Sequence, residues 1–122
     1  MKDVIVYPEN GHSIVAVIRR KPGMTLEEFH HHYKFVHAPL SAQLPRLVSY
    51  RQPPTRTPGQ GDGPYMPTHL SFDAVSIYIF ENTAAAEAAW TSPEGLLLDE
   101  DAVKFIDLDT QIILPVTPRQ VV

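Results

Sequence analysis

Ile14-Val15-Ala16-Val17-Ile18 is an unbroken apolar run, mostly β-branched, and it limits what this chain can become more than any other feature. A run so short and stiff reads as a strand buried on both faces, so the sheet it joins must be covered on both sides. The strand is read from Ser13 to Arg19, and Arg20-Lys21-Pro22-Gly23 ends it. A strand read over 73–80 repeats the pattern. Val75, Ile77 and Ile79 fall on one face and Ala74, Ser76, Tyr78 and Phe80 on the other. Two more strands are read at 47–52, bounded by Pro45 and Pro53-Pro54, and at 110–117.

Helix signals separate these strands. Thr25 with Glu28 forms a capping box, and Met24 with Phe29 has the spacing of a hydrophobic staple around it. That helix is expected from Leu26 to about Ala38, where Pro39 disfavours continuation, with a short helical piece to Leu44. An alanine-rich helix follows at 83–90, and Ser92-Pro93-Glu94 restarts a helix that reaches about Ile106. The order β-α-β-β-α-β is the split arrangement of ferredoxin-like α+β folds. Strands one and three are central there, and Pro115 falls in the fourth, an edge strand that tolerates a missing donor. The helices suffice for one face of the sheet. A second copy packed sheet to sheet is the simplest cover for the other, so a homodimer is expected.

The length of 122 residues suits one domain spanning residues 1–122. The absence of cysteine excludes disulfides, thiol nucleophiles and thiolate metal sites. A net charge of −4 without a basic cluster argues against a nucleic-acid partner. No apolar run approaches the roughly 20 residues that span a bilayer, so no membrane partner is expected. The run from Val4 to Tyr7 is too short for a signal peptide, which makes a cytoplasmic location the expectation. The stretch from Pro53 to Phe72 holds five prolines and three glycines and has no periodicity. It reads as an insertion or as a lid over a pocket. Its Gly59-Gln60-Gly61-Asp62-Gly63-Pro64 fits neither the dinucleotide fingerprint nor the phosphate loop.

Five of the six histidines precede Ala38. His30, His31 and His32 are adjacent on a helix and point about 100° apart, so they cannot converge on one metal ion; structural or solvent-facing roles are expected for them. His37 differs. Phe29, Tyr33 and His37 recur at four-residue steps on one helix face, with Leu26, Leu40 and Leu44 marking the side toward the sheet. His37 is therefore expected to point inward near the helix C-terminus, where the dipole raises the imidazole pKa. His69 and Asp73 flank the exit of the proline-rich stretch and form a second candidate pair. Tyr50, Tyr78 and Trp90 are candidates to line a pocket or to pack in the core. With no nucleophile, nucleotide or metal signature, proton transfer in a dry pocket is what remains.

Residues 20–29, Arg20-Lys21-Pro22-Gly23-Met24-Thr25-Leu26-Glu27-Glu28-Phe29, carry a family likeness. So do Tyr33, His37-Ala38-Pro39-Leu40, and Leu44-Pro45 with Leu47 and Tyr50. Together they resemble an EthD domain. The resemblance implies a dimeric α+β barrel. Phe72-Asp73-Ala74-Val75 and the stretch from Asp101 to Asp109, with Lys104-Phe105-Ile106-Asp107, are similar to fungal members acting on aromatic polyketides. Those include decarboxylases of anthrone-type carboxylic acids and dehydratases that finish naphthopyrone rings; a muconolactone isomerase and companions of ether-degrading oxygenases are related. The resemblance aligns His37 with the motif histidine before a proline. It implies a lyase, by decarboxylation or dehydration, that needs no metal, flavin or nicotinamide. His37, His69 and Asp73 are the candidate acid–base groups, and Phe29, Tyr33, Tyr50, Tyr78 and Trp90 the candidate substrate contacts. An isomerase or cyclase, or a binding companion, is the alternative. The chain departs from the family pattern in its insertion and in carrying Tyr33 where many members have tryptophan.

Overall fold

The structure, a computed structural model, describes residue 8, residues 10–55 and 72–119, and residue 121. The elements run β1 (His12–Ile18), α1 (Leu26–His32), a π-helical turn (Tyr33–His37), α2 (Ala38–Ser41), β2 (Leu47–Arg51), β3 (Ala74–Phe80), α3 (Thr83–Trp90), α4 (Pro93–Phe105) and β4 (Ile112–Val116). The four strands form one antiparallel sheet in the order β2-β3-β1-β4. That is the ferredoxin-like arrangement, with the two doubly apolar strands at its centre. No helix among the described residues is long and apolar enough to cross a membrane.

Local chemistry sets the helix starts. The Thr25 hydroxyl accepts from the Glu28 amide while the Glu28 carboxylate accepts from the Thr25 amide, at 3.0 and 2.9 Å. Gly23 makes the preceding turn at φ +87°, a conformation that favours glycine. Ser92 caps α4 with Pro93 in its first turn. A Cβ on Gly95 would collide with the Ala89 and Trp90 carbonyls, so glycine is what lets α4 start hard against the end of α3.

The helix that begins at Leu26 does not stop before Pro39. The Ala38 amide donates to the Tyr33 carbonyl, five residues back, and the helix continues to Ser41. Pro39 supplies the reason. It has no N–H, and its ring would strike the carbonyl four residues earlier in a regular α-helix; one extra residue in the turn relieves both demands.

The helices cover one face of the sheet with two buried clusters. One gathers Ile18, Phe29, Tyr33, Ala74 and Phe105; the other gathers Leu44, Tyr78, Phe80, Leu98 and three alanines of α3. Leu26, expected to face the sheet, is exposed. The opposite sheet face carries the register pairs Val15–Ile77, Val17–Val75, Val15–Leu114 and Val17–Ile112, and no described helix lies on it. Ile112, Leu114 and Val116 are between 42 and 48% exposed there. Most of the proline-rich stretch, with its glycine cluster and the lid reading, lies outside the described residues. Its ends extend the β2–β3 pairing, with the Val75 amide donating to Pro53 and the Thr55 amide to Asp73, at 3.0 and 3.2 Å.

Candidate active site

A cavity of about 560 Å³ lies between the helix-covered face of the sheet and α4. Its floor is low because the inward residues at the sheet centre are small: Ala16 of β1 pairs with Ser76 of β3, and both line the cavity. Its walls draw on both buried clusters, Ile18 and Ile106 from one, Tyr78 and Leu98 from the other. Trp90 lines it too, edge-on to the Tyr78 ring at 5.1 Å between centroids. The lining is mostly apolar, and His37 projects into it.

His37 is buried, and its Nδ1–H donates to the Asp101 Oδ2 at 2.9 Å. The carboxylate accepts only, which fixes the proton on Nδ1 and leaves Nε2 as the nitrogen available to the cavity. His32 Nε2–H donates to the other carboxylate oxygen at 2.8 Å. In a regular α-helix side chains five positions apart point about 140° apart. The π-helical turn between them narrows that angle, so His32 and His37 both reach one carboxylate. Phe105, one turn beyond Asp101 on α4, packs against both imidazoles, at 4.6 Å from His32 and 4.8 Å from His37.

Burial pushes the His37 imidazole below the ordinary histidine range. The hydrogen bond and charge of Asp101 pull it up without making good the loss, and the His32 charge pushes it further down. This reverses the sequence expectation of a raised pKa. That expectation placed His37 at a helix C-terminus, whereas the helix runs on past Pro39 and burial dominates.

The other candidates separate. Asp73 is not among the cavity lining; its carboxylate accepts the Arg20 amide at 2.7 Å and faces the Arg20 guanidinium at 3.5 Å, which ties the end of β1 to the start of β3. His69 lies outside the described residues. Phe29 is fully buried, stacked on Tyr33 at 5.5 Å. The Tyr33 hydroxyl donates to the Val75 carbonyl at 2.9 Å and lies 2.7 Å from the Ser76 hydroxyl, behind the cavity floor. Tyr78 lines the cavity, with its hydroxyl 3.3 Å from that of Ser41. Burial raises the phenols of Tyr33 and Tyr78, and the Tyr50 phenol adds to the rise in both. Tyr50 packs on Tyr78 at 4.6 Å and accepts from Gln52 at 2.7 Å. His30 and His31 stay with their own helix, against Phe29 and Phe35.

Residues 21–109 match the EthD domain. The chain belongs to the EthD family. No curated protein matches its sequence. Among solved structures, an EthD family protein from Bacillus halodurans superposes with a TM-score of 0.71 at 21% identity, over 89% of this chain and 99% of that one. A dimeric ferredoxin-like protein of unknown function from Thermobifida fusca gives 0.69 at 12%, over 97% and 100%. SnoaB, a cofactor-independent oxygenase from Streptomyces nogalater, gives 0.62 at 16%, over 92% and 96%. At these identities the likeness is one of fold.

In this EthD protein, sequence reasoning did not single out Asp101 or His32 for the site. One signal for Asp101 is present: the buried positions of α4 are Gly95, Leu98, Asp101 and Phe105, so an acid interrupts an apolar stripe. His32 carries no such mark, because its reach depends on the π-helical turn.

Proposed function

We propose that this EthD protein is a cofactor-free lyase acting on a small aromatic, polyketide-type intermediate, with His37 moving the proton. The observation that supports it most is His37 in a largely apolar cavity of about 560 Å³, its Nδ1–H held by a buried carboxylate and its Nε2 available. That volume lies within the range of small-molecule sites. The Asp101 bond plays the part that the carboxylate plays behind a catalytic imidazole: it holds the tautomer and steadies the charge that forms. SnoaB, a cofactor-independent enzyme on the same fold, is consistent with chemistry of this kind.

Because burial keeps the imidazole neutral, His37 starts as a base, and of the two lyase reactions dehydration suits it better. Nε2 takes the acidic proton from the carbon between two carbonyls, and the C–H pair becomes an enolate. The enolate expels hydroxide from the neighbouring carbon, which recovers the proton from the imidazolium and leaves as water. Aromatisation of the ring drives the step. Decarboxylation would instead need a proton delivered to carbon, and hence His37 already protonated. A general acid–base residue of this kind contributes about 10²–10⁴-fold. An isomerase or cyclase shares the first transfer but loses no fragment. Incubation with a hydrated naphthopyrone and with an anthrone-type carboxylic acid, read by mass, distinguishes these: loss of water supports the proposal, loss of CO2 favours decarboxylation, and an unchanged mass with a new product means isomerisation.

The same proposal includes a homodimer. Val15, Val17, Val75 and Ile77 form the centre of a sheet face that no described helix covers, and a flat apolar face of this kind is best satisfied by its own copy. The Thermobifida fusca relative in fold is itself dimeric.

A further inference from the structure

We propose that His32 is a positioning residue for His37, acting through the Asp101 carboxylate that the two histidines share. This rests on the reading of His37 as the proton-transfer group.

The geometry is specific. Asp101 is buried, with 3% of its side chain exposed, and each of its oxygens is taken by one imidazole, at 2.8 and 2.9 Å. A buried carboxylate is costly unless it is paired and hydrogen-bonded; here the described partners of its side chain are two histidines. His37 is enclosed, with 4% of its side chain exposed, whereas His32 reaches solvent at 22%. The chain thus links a cavity-facing imidazole to a solvent-touched one through a carboxylate that cannot turn without breaking a bond at one end. Phe105 packs on both rings and holds their spacing.

His32 acts in two ways. Its N–H fixes the carboxylate plane, so Oδ2 stays aimed at His37 Nδ1 and the tautomer with a free Nε2 persists. It also draws part of the carboxylate charge toward itself, which keeps Asp101 from making His37 too basic. The other titratable groups near His37 are Tyr33 on its own turn, and Tyr78 of β3 and Asp99 of α4, which line the same cavity. Among the described residues the Asp101 side chain bonds to His37 and His32 alone, so His32 is the group through which the carboxylate can be tuned.

The test is imidazole titration by NMR in the full chain, compared with kinetics of water loss from the hydrated naphthopyrone. Replacing His32 with alanine frees Oδ1, and the His37 pKa is expected to rise by about one unit. His32→Gln restores an N–H within reach of Oδ1 and is expected to bring the value most of the way back. In kinetics, His32→Ala lowers kcat roughly tenfold with KM within about twofold and moves the acid limb of the pH profile upward. A His37 titration unchanged in both variants overturns the proposal, whatever the activity. If His32→Ala does not fold, His32→Gln against His32→Leu carries the same contrast. A titration that shifts as expected while His37→Gln remains fully active supports the coupling and refutes only the catalytic role of His37.

Discussion

The two faces of the central sheet are built from adjacent residues yet end differently. Inward, β1 and β3 place Ala16 against Ser76; outward, they place Val15 against Ile77 and Val17 against Val75. Small side chains under the helices leave a hollow that His37 enters. Branched side chains on the other face make a level apolar surface. In the reading proposed here, these two strands therefore serve recognition on one side and association on the other. The difference lies in side-chain volume at alternate positions and not in polarity alone.

The largest effect is expected on the level face. Ile77→Asp places a charge at its centre, and the dimer is expected to weaken by about 10³-fold or more, since an unpaired buried charge costs several kcal/mol. Sedimentation at micromolar concentration then shows a monomer; a dimer that survives the change removes this face from the interface.

On the hollow face, Ala16→Leu fills the floor. Binding of an aromatic ligand, read by quenching of Trp90, the chain's single tryptophan, is expected to fall about 10²-fold, with melting shifted by only a few degrees. The outward control, Val17→Leu, is expected to leave quenching as it was. Equal losses from both changes would erase the distinction between the faces.

A smaller effect concerns pH. The folded state holds His37 below its ordinary value of 6.5. Above that pH the ring is neutral folded and unfolded, and it costs nothing. As the pH falls below it, the unfolded chain takes up a proton that the fold resists, so stability declines until the lowered pKa is passed. Urea unfolding between pH 7 and 5 is expected to show a steeper decline for the natural chain than for His37→Gln. Parallel curves would mean that the His37 ring is not desolvated.

Much of this arrangement was legible in the sequence because its causes are local. The Thr25–Glu28 capping box and Ser92-Pro93 mark helix starts through neighbours only. The alternation in β3 marks its two faces, and the stripe of Phe29, Tyr33 and His37 turns the imidazole inward. What escaped depends on contact between distant segments. Asp101 meets His37 across 64 positions of sequence. His32 joins them only because Pro39 shifts the helical register. Asp73 beside the long loop suggested a partner for an imidazole, but its carboxylate holds the Arg20 backbone.

In the proposed mechanism His37 Nε2 removes a proton from carbon. The most direct measurement is deuterium exchange at the acidic carbon of an anthrone-type probe in D2O, followed by NMR, because it needs no leaving group and is common to elimination and isomerisation. The natural chain is expected to accelerate exchange, and His37→Gln to lose about 10²–10⁴-fold of that acceleration with an unchanged fold and unchanged probe binding. Exchange that is equally fast in the His37→Gln variant would contradict the account.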